Sequence, residues 1–420
     1  MPRLTGPAWR YLIHSVLLTF GLAVSGLFYN LLLVELGYDQ RGTRLPLVGE
    51  VPLLGLLNSL PVLVAALSSL PIWWAVSRGG PRRALVAGAL LSGGALLGVA
   101  LWPAPLPLLI CAALSGPATV LWQVSAAPFM MEHSGPRERD ALFALSAGLS
   151  IGVAGLGSLV GGLLPGLAAA GLGLPAQSAA AYRATFAVAA ALTALAALPL
   201  LGSGRRTPPG TAGPVPASVV DRRALLRTAL GAWRFLVSPL LISFGAALLI
   251  PFLNLYFRQR YGASDAALGV VFALVGIATG AATLAAPLLS RRLGKMGSVV
   301  LTQSLAIPCL LLLGLAPGLW AATLIALARG ALMNMAAPLY DAYAMERSPT
   351  AARPIVIGLI NGAFSAGYIV GPTVSAAVQR QYGFTPLFIA TACFYACAAL
   401  ANYLLFVRAD RRRAPDPHRI

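Results

Sequence analysis

Apolar residues run through this chain in blocks of about twenty, with the polar residues gathered between them. The blocks lie near 11–36, 51–76, 84–102, 105–130, 141–168, 179–201, 233–257, 266–290, 298–316, 318–344, 354–378 and 384–407. They lack the strict alternation of a strand that buries one face. At 1.5 Å per residue, ~20 apolar residues match the ~30 Å hydrocarbon thickness of a bilayer. The pattern therefore predicts twelve membrane-spanning helices. A transmembrane barrel would need short alternating segments, and continuous Leu, Ala and Gly runs argue against it. One long polar stretch interrupts the blocks, GSGRRTPPGTAGPVPASVVDRRALLRTALGA at 202–232. It predicts an N-terminal six-helix bundle over 1–201, a basic Pro/Gly-rich linker over 202–232, a second bundle over 233–407 and a basic tail over 408–420.

The two sides of the linker resemble each other. Met131-Glu132-His133-Ser134 returns as Met345-Glu346-Arg347-Ser348, an offset of 214. The same offset carries Gly116 to Gly330, Arg139 to Arg353, Gly148 to Gly362 and Gly157 to Gly371. In the first and seventh blocks, Phe28-Tyr29-Asn30-Leu31 matches Phe252-Leu253-Asn254-Leu255 at an offset of 224. The difference of ten places extra residues in the first half, within an outer loop around 38–50.

Composition and charge sharpen the class. Hydrophobic residues make up 58% of the chain and charged residues 10%, against about 25% charged in a soluble domain. A net charge of +18 suggests nucleic acid until the cations are placed. With the amino terminus inside, the inner segments hold 23 Lys and Arg, the outer segments hold 6, and Arg329 lies within a span. This is the positive-inside bias. It predicts a multi-pass protein of a plasma membrane, the bacterial inner membrane, with both termini cytoplasmic, and it removes the case for nucleic acid. The first apolar block is too long for a signal-peptide core and reads as the first span. Cys111, Cys309, Cys393 and Cys397 all fall within apolar blocks and read as packing residues.

Short motifs recur at the inner ends of the spans. Ser77-Arg78-Gly79-Gly80-Pro81-Arg82-Arg83 follows the second block, and Ser290-Arg291-Arg292-Leu293-Gly294-Lys295 follows the eighth. Glu132 and Arg139 stand seven apart across a Gly-Pro turn, as do Glu346 and Arg353 across a Ser-Pro turn. Gly148, Gly152, Gly155, Gly157, Gly161 and Gly162 permit close helix contact along the fifth block. In the eleventh, Gly358, Gly367, Gly371 and Pro372 follow G-x8-G-x3-G-P.

The two cationic loops resemble the cytoplasmic signature loop of the major facilitator superfamily, G-x-x-x-D-R-x-G-R-R, without its acidic residue. The eleventh-block glycines are similar to that family's antiporter motif, which normally belongs to the fifth span. The resemblance covers Tyr11 to Val407. It implies an all-α membrane protein of two pseudo-symmetric six-helix bundles with a central cavity lined by the first, fourth, seventh and tenth spans. Asn30, Gln123, Asn254, Tyr256, Arg329 and Asn334 are the polar candidates there. It also implies that Arg78, Arg82, Arg83, Arg291 and Arg292, with Glu132, Arg139, Glu346 and Arg353, form a cytoplasmic gate that clamps helix ends.

Arg329 stands apart, eleven residues into a span that begins near 318. Asp341 lies about 18 Å further along the same helix, so the pair cannot meet, and the guanidinium is expected to face a cavity or a partner. No acid sits mid-span in the first half. Glu35 and Asp341, near span ends, are the candidates for proton coupling. No ATP-binding loop, metal cluster or catalytic triad is present, so neither cofactor nor enzymatic activity is expected. The leading expectation is a monomeric secondary transporter working by alternating access, exporting small amphipathic molecules in exchange for protons. Two rivals stand beside it: uptake or facilitated passage of a small organic anion through Arg329, and a membrane scaffold or sensor that transports nothing.

Overall fold

The computed structural model describes residues 4–45, 49–202, 222–349 and 352–409. Among them are twelve helices, or helix pairs, long and apolar enough to cross a membrane. They divide into two units, Met1–Ser218 with Asn254–Gly276, and Val219–Leu253 with Ile277–Ile420. The second unit thus gives the segment Asn254–Gly276 to the first, a split that the position of the linker does not reveal.

In the first unit the opening span is broken into α1 (Gly6–Gly26) and α2 (Tyr29–Glu35). Ser25 causes the break together with Gly26. Its hydroxyl donates back to the carbonyls of Gly21 and Leu22, at 3.3 and 3.2 Å, and such back-bonding beside a glycine bends helices. A break inside lipid leaves carbonyls that water cannot satisfy. The Leu27 carbonyl is taken by the side-chain amide of Asn254 at 2.6 Å. The corresponding break in the seventh span lies at Ile250–Phe252, a short 3-10 turn, where Pro251 removes a backbone donor. It separates α9 (Arg222–Leu249) from α10 (Leu253–Tyr261). α9 also takes the last eleven residues of the expected linker, 222–232, because RRALLRTALGA is rich in strong helix formers. Linker residues 203–221 and tail residues 410–420 lie outside the described residues.

After α2 the chain forms a hairpin, β1 (Gly42–Leu45) against β2 (Gly49–Pro52), with Gly42 opposite Pro52. The extra outer residues expected as a loop therefore make a small sheet. Tyr38 anchors its base by donating its hydroxyl to the Pro103 carbonyl at 2.6 Å. Burial pushes that phenol up from its ordinary pKa, with Arg41 pulling it partly back, so the donor proton stays in place at neutral pH. Then follow α3 (Leu53–Gly79), α4 (Pro81–Leu101), α5 (Pro105–Glu132), α6 (Pro136–Leu172), α7 (Ala179–Leu195) and the single turn α8 (Leu198–Leu201).

The second unit contains α9, most of α11 (Asp265–Leu293), α12 (Lys295–Leu315), α13 (Leu319–Glu346), α14 (Arg353–Tyr382) and α15 (Thr385–Asn402), the last running into a π turn at Tyr403–Val407. The two units repeat one packing plan. α1 lies on α6 and α7 as α9 lies on α14 and α15, and α4 lies on α5 and α7 as α12 lies on α13 and α15.

Individual contacts carry the repeat. A Cβ on Gly157 would meet the Cβ of Ala23 at 2.7 Å, and one on Gly371 would collide with that of Ala247. Ala23 and Ala247 differ by 224 and Gly157 and Gly371 by 214, so both offsets seen in the sequence meet in one conserved geometry. Gly161 lies against the Val24 carbonyl and Gly367 against the backbone of Ser243. The Ser243 hydroxyl donates to the Phe364 carbonyl and accepts from the Gly367 N–H at 3.0 Å. Gly148, Gly152 and Gly358 have no neighbour within 4 Å, so only part of each expected glycine motif makes close contact. Gly367→Ala should force α14 off α9 and cost about 1–3 kcal/mol. Gly358→Ala should be neutral or slightly stabilising, by up to ~1 kcal/mol of helix propensity. Melting temperatures of the two detergent-solubilised variants give the comparison. Equal behaviour of the two would contradict the packing role.

Candidate functional site

A cavity of about 650 Å³ lies within the first unit. That falls in the ~300–1,000 Å³ range of ligand pockets. Leu18, Leu22, Leu57, Leu96, Val99, Trp122 and Phe186 supply its apolar wall, and Thr19, Ser25, Tyr29, Asn58, Ser92, Ser115 and Thr119 its polar points. No charged residue lines it. The helix break and the small residues of α4 and α5 make the room. Gly88 and Gly98 admit α5 closely: a Cβ on the first would lie 3.2 Å from the Ala118 carbonyl, and one on the second would collide with the Cys111 sulfur. Trp122 carries an indole N–H that is buried and has no hydrogen-bond partner. An orphaned donor of this kind costs ~1–3 kcal/mol.

The expected cavity residues are divided between the two units, Asn30, Gln123, Asn254 and Tyr256 in the first and Arg329 and Asn334 in the second. Asn30 reaches the cavity indirectly, accepting at 2.8 Å from Asn58, itself a lining residue. Gln123 is exposed beside Trp122 and is not part of the lining. Asn254 is spent on the Leu27 carbonyl, and the Tyr256 hydroxyl lies 3.4 Å from that of Tyr261. Asn334, in the second unit, is exposed and donates to the Gly330 carbonyl of its own helix at 2.9 Å. Arg329, also in the second unit, is 7% exposed. It hydrogen-bonds the Tyr395 hydroxyl and lies in the electrostatic reach of Tyr368, while its Nη1 has no partner. A charge at that depth costs ~2.5–3.5 kcal/mol on insertion scales.

Of the gate candidates, Arg78, Arg82, Glu346 and Arg353 have partners within their own units. Arg82 donates to the Leu200 and Leu201 carbonyls, each at 2.6 Å. These carbonyls end a helix, where orphan acceptors and the negative dipole favour a cation. At the opposite end of the same two spans, Arg183 donates to Ala100 and Leu101 at 2.6 and 3.2 Å. The two arginines form a reciprocal clamp between α4 and α7–α8, and nothing in the sequence marks Arg183 beyond its place one turn into a span. Arg78 stacks over the Trp74 ring at 3.8 Å, whereas Arg83, Arg291 and Arg292 are exposed.

Seven-residue acid–base spacing behaves unevenly. Glu346 pairs with Lys295, while Arg353 donates to the Met345 carbonyl at 3.0 Å. Of the two kinds of partner open to Glu346, Arg353 and the cations of the neighbouring loop, it takes the loop cation. Among the described residues no ion pair involves Glu132 or Arg139. The same spacing occurs a third time, at Arg258 and Asp265 across Gly262, and there the ion pair forms. Asp265 is 7% exposed and also accepts from the Tyr182 hydroxyl at 3.1 Å. The sequence reading passed over this buried carboxylate because it begins a span instead of lying within one. Of the expected proton carriers, Glu35 is exposed at the end of α2 and Asp341 is half-buried near the end of α13.

Known proteins agree with this architecture. The profile described as Major Facilitator Superfamily matches residues 11–363 and 240–419. A search of curated proteins finds no match. Among solved structures, a bacterial homolog to the human lysosomal transporter Spinster, inward-facing and unoccupied, aligns with a TM-score of 0.76 at 17% identity, covering 98% of this chain and 99% of that one. The nucleoside transporter NupG aligns at 0.72 and 15%, covering 96% and 99%. A D-xylose-proton symporter aligns at 0.71 and 16%, covering 95% and 97%. At such identities the likeness concerns the fold. With a profile match spanning nearly the whole sequence and twelve apolar spans in two repeated units, the chain belongs to the major facilitator superfamily of membrane transporters.

Proposed function

We propose that the protein is a secondary transporter working by alternating access, and that it exports small amphipathic molecules in exchange for protons. The observation that carries the substrate class is the first-unit cavity, uncharged and walled by aromatic and aliphatic side chains, Trp122 among them. A molecule with a broad apolar body and one hydrogen-bond acceptor fits that wall. Sugars and nucleosides call for a denser set of polar groups than the scattered Ser, Thr, Tyr and Asn side chains of this wall offer. A gated role for Arg78, Arg82, Arg83, Arg139, Arg291, Arg292 and Arg353 with Glu132 and Glu346 fits their place at helix ends. A partly exposed pair such as Lys295–Glu346 is cheap to break during a helix tilt. We place both termini in the cytoplasm of a bacterial cell on the distribution of Lys and Arg, and take the monomer as the working unit.

Proton exchange is assigned to Asp341 and Glu35, the carboxylates near the ends of α13 and α2 that have no ion-pair partner among the described residues. In proteoliposomes carrying an imposed proton gradient and a trapped pH dye, adding lipophilic cations or neutral amphiphiles should drive proton movement. Asp341→Asn, Glu35→Gln or both should abolish that movement while leaving ligand binding in place. Proton movement that survives the double variant would sink the assignment. Complete silence across the panel would favour a scaffold or sensor.

Trp122→Phe keeps the ring wall and removes the N–H. Apparent substrate affinity should fall up to tenfold, the equivalent of ~1.4 kcal/mol. An unchanged affinity would remove the cavity from the transport path.

A further inference from the structure

The internal repeat allows the two units to be compared position by position. Ser115 and Ala154 line the first-unit cavity. At the offset of 214, their counterparts in the second unit are Arg329 and Tyr368. The second unit therefore has a guanidinium and a phenol where the first has a small hydroxyl and a methyl. We infer that Arg329, Tyr368 and Tyr395 form a binding site for one small monovalent anion inside the second unit.

Charge balance is the main argument. Arg329 is 7% exposed, and its Nη1 is buried without a partner. α9, α12, α14 and α15 contain no Asp or Glu, and the acids of α13, Asp341 and Glu346, stand at its far end. The nearest of them is twelve residues from Arg329, about 18 Å along the helix. Among the described residues, these helices of the second unit thus supply no counter-charge beside a cation that lipid will not solvate.

Donor chemistry points the same way. A guanidinium offers only donors. Tyr395 accepts from Arg329, which leaves its own O–H free to donate. Tyr368, held in the electrostatic reach of the same guanidinium, supplies a second phenolic donor. One cation with two neutral donors suits a single negative charge, and a divalent oxyanion would leave one charge uncompensated. The anion is either a free inorganic ion or the carboxylate of a larger solute. This inference does not depend on which molecule the first-unit cavity takes.

The test is binding, read as melting temperature of the purified full-length protein at constant ionic strength. Sodium gluconate, a strongly hydrated polyhydroxy anion, is replaced stepwise by chloride, nitrate or benzoate. A saturable rise is expected, since a ligand that binds only the folded state stabilises it by mass action. Chloride or nitrate acting without benzoate identifies a free-ion site, and benzoate acting as well identifies a carboxylate site. Arg329→Gln should lose the dependence. Tyr395→Phe, which preserves the ring, should weaken apparent affinity about tenfold and decides the matter if the glutamine variant does not fold. The inference is overturned if no anion gives a saturable rise, or if both variants respond like the native protein. Either result leaves amphiphile export untouched.

Discussion

Lipid neither hydrogen-bonds an open backbone nor drives apolar helices together, and this constraint shapes the molecule. Helices in that medium associate through close van der Waals approach and a few polar bonds, which favours small residues at the contacts. The meeting of α1 with α6 and of α9 with α14 shows the rule at its plainest. Gly157 lies on Ala23 in one unit and Gly371 on Ala247 in the other. Because two helices touch along backbone there, any larger residue must move a whole span.

The same constraint governs every place where a helix stops. The break after Gly26 leaves the Leu27 carbonyl without a partner on its own helix, and Asn254 supplies one. The ends of α4 and α8 receive Arg183 and Arg82. Inside the second unit, Asn402 bonds Ser238 and Gln303 where the helix loosens into its π turn. Polar residues in this chain therefore mostly satisfy backbone or each other. Among the described residues eight buried side-chain atoms are left without a partner, and two of them, the Trp122 N–H and the Arg329 Nη1, are the ones on which the proposals above rest.

Much of the architecture was legible in the residues. Apolar blocks of bilayer length gave the twelve spans, and the offsets of 214 and 224 gave the repeat that Gly157 and Gly371 realise. Pairings were less legible, because spacing fixes distance along the chain and not direction across it. The seven-residue rule singled out Glu132–Arg139 and Glu346–Arg353, yet the ion pair forms at Arg258–Asp265. Asn254 looked like a cavity residue because polar side chains in lipid draw that reading, and its role as a backbone partner needs the helix break to be seen. The cavity itself was hidden for a simpler reason. Its wall is mostly Leu, Val, Ala, Ser and Thr, with Tyr29, Asn58, Trp122 and Phe186 among them, residues that no motif distinguishes from ordinary packing.

The central claim is that cargo binds in the first-unit cavity, and a cysteine already lines it. Cys111 belongs to the wall, and Cys309, Cys393 and Cys397 do not. With those three replaced by Ala, the labelling rate of Cys111 by a small methanethiosulfonate reagent would be measured against increasing concentrations of an amphiphile that drives proton movement. The account predicts protection that saturates at the concentration giving half-maximal transport. Labelling that stays constant at saturating amphiphile would place the cargo elsewhere and contradict it.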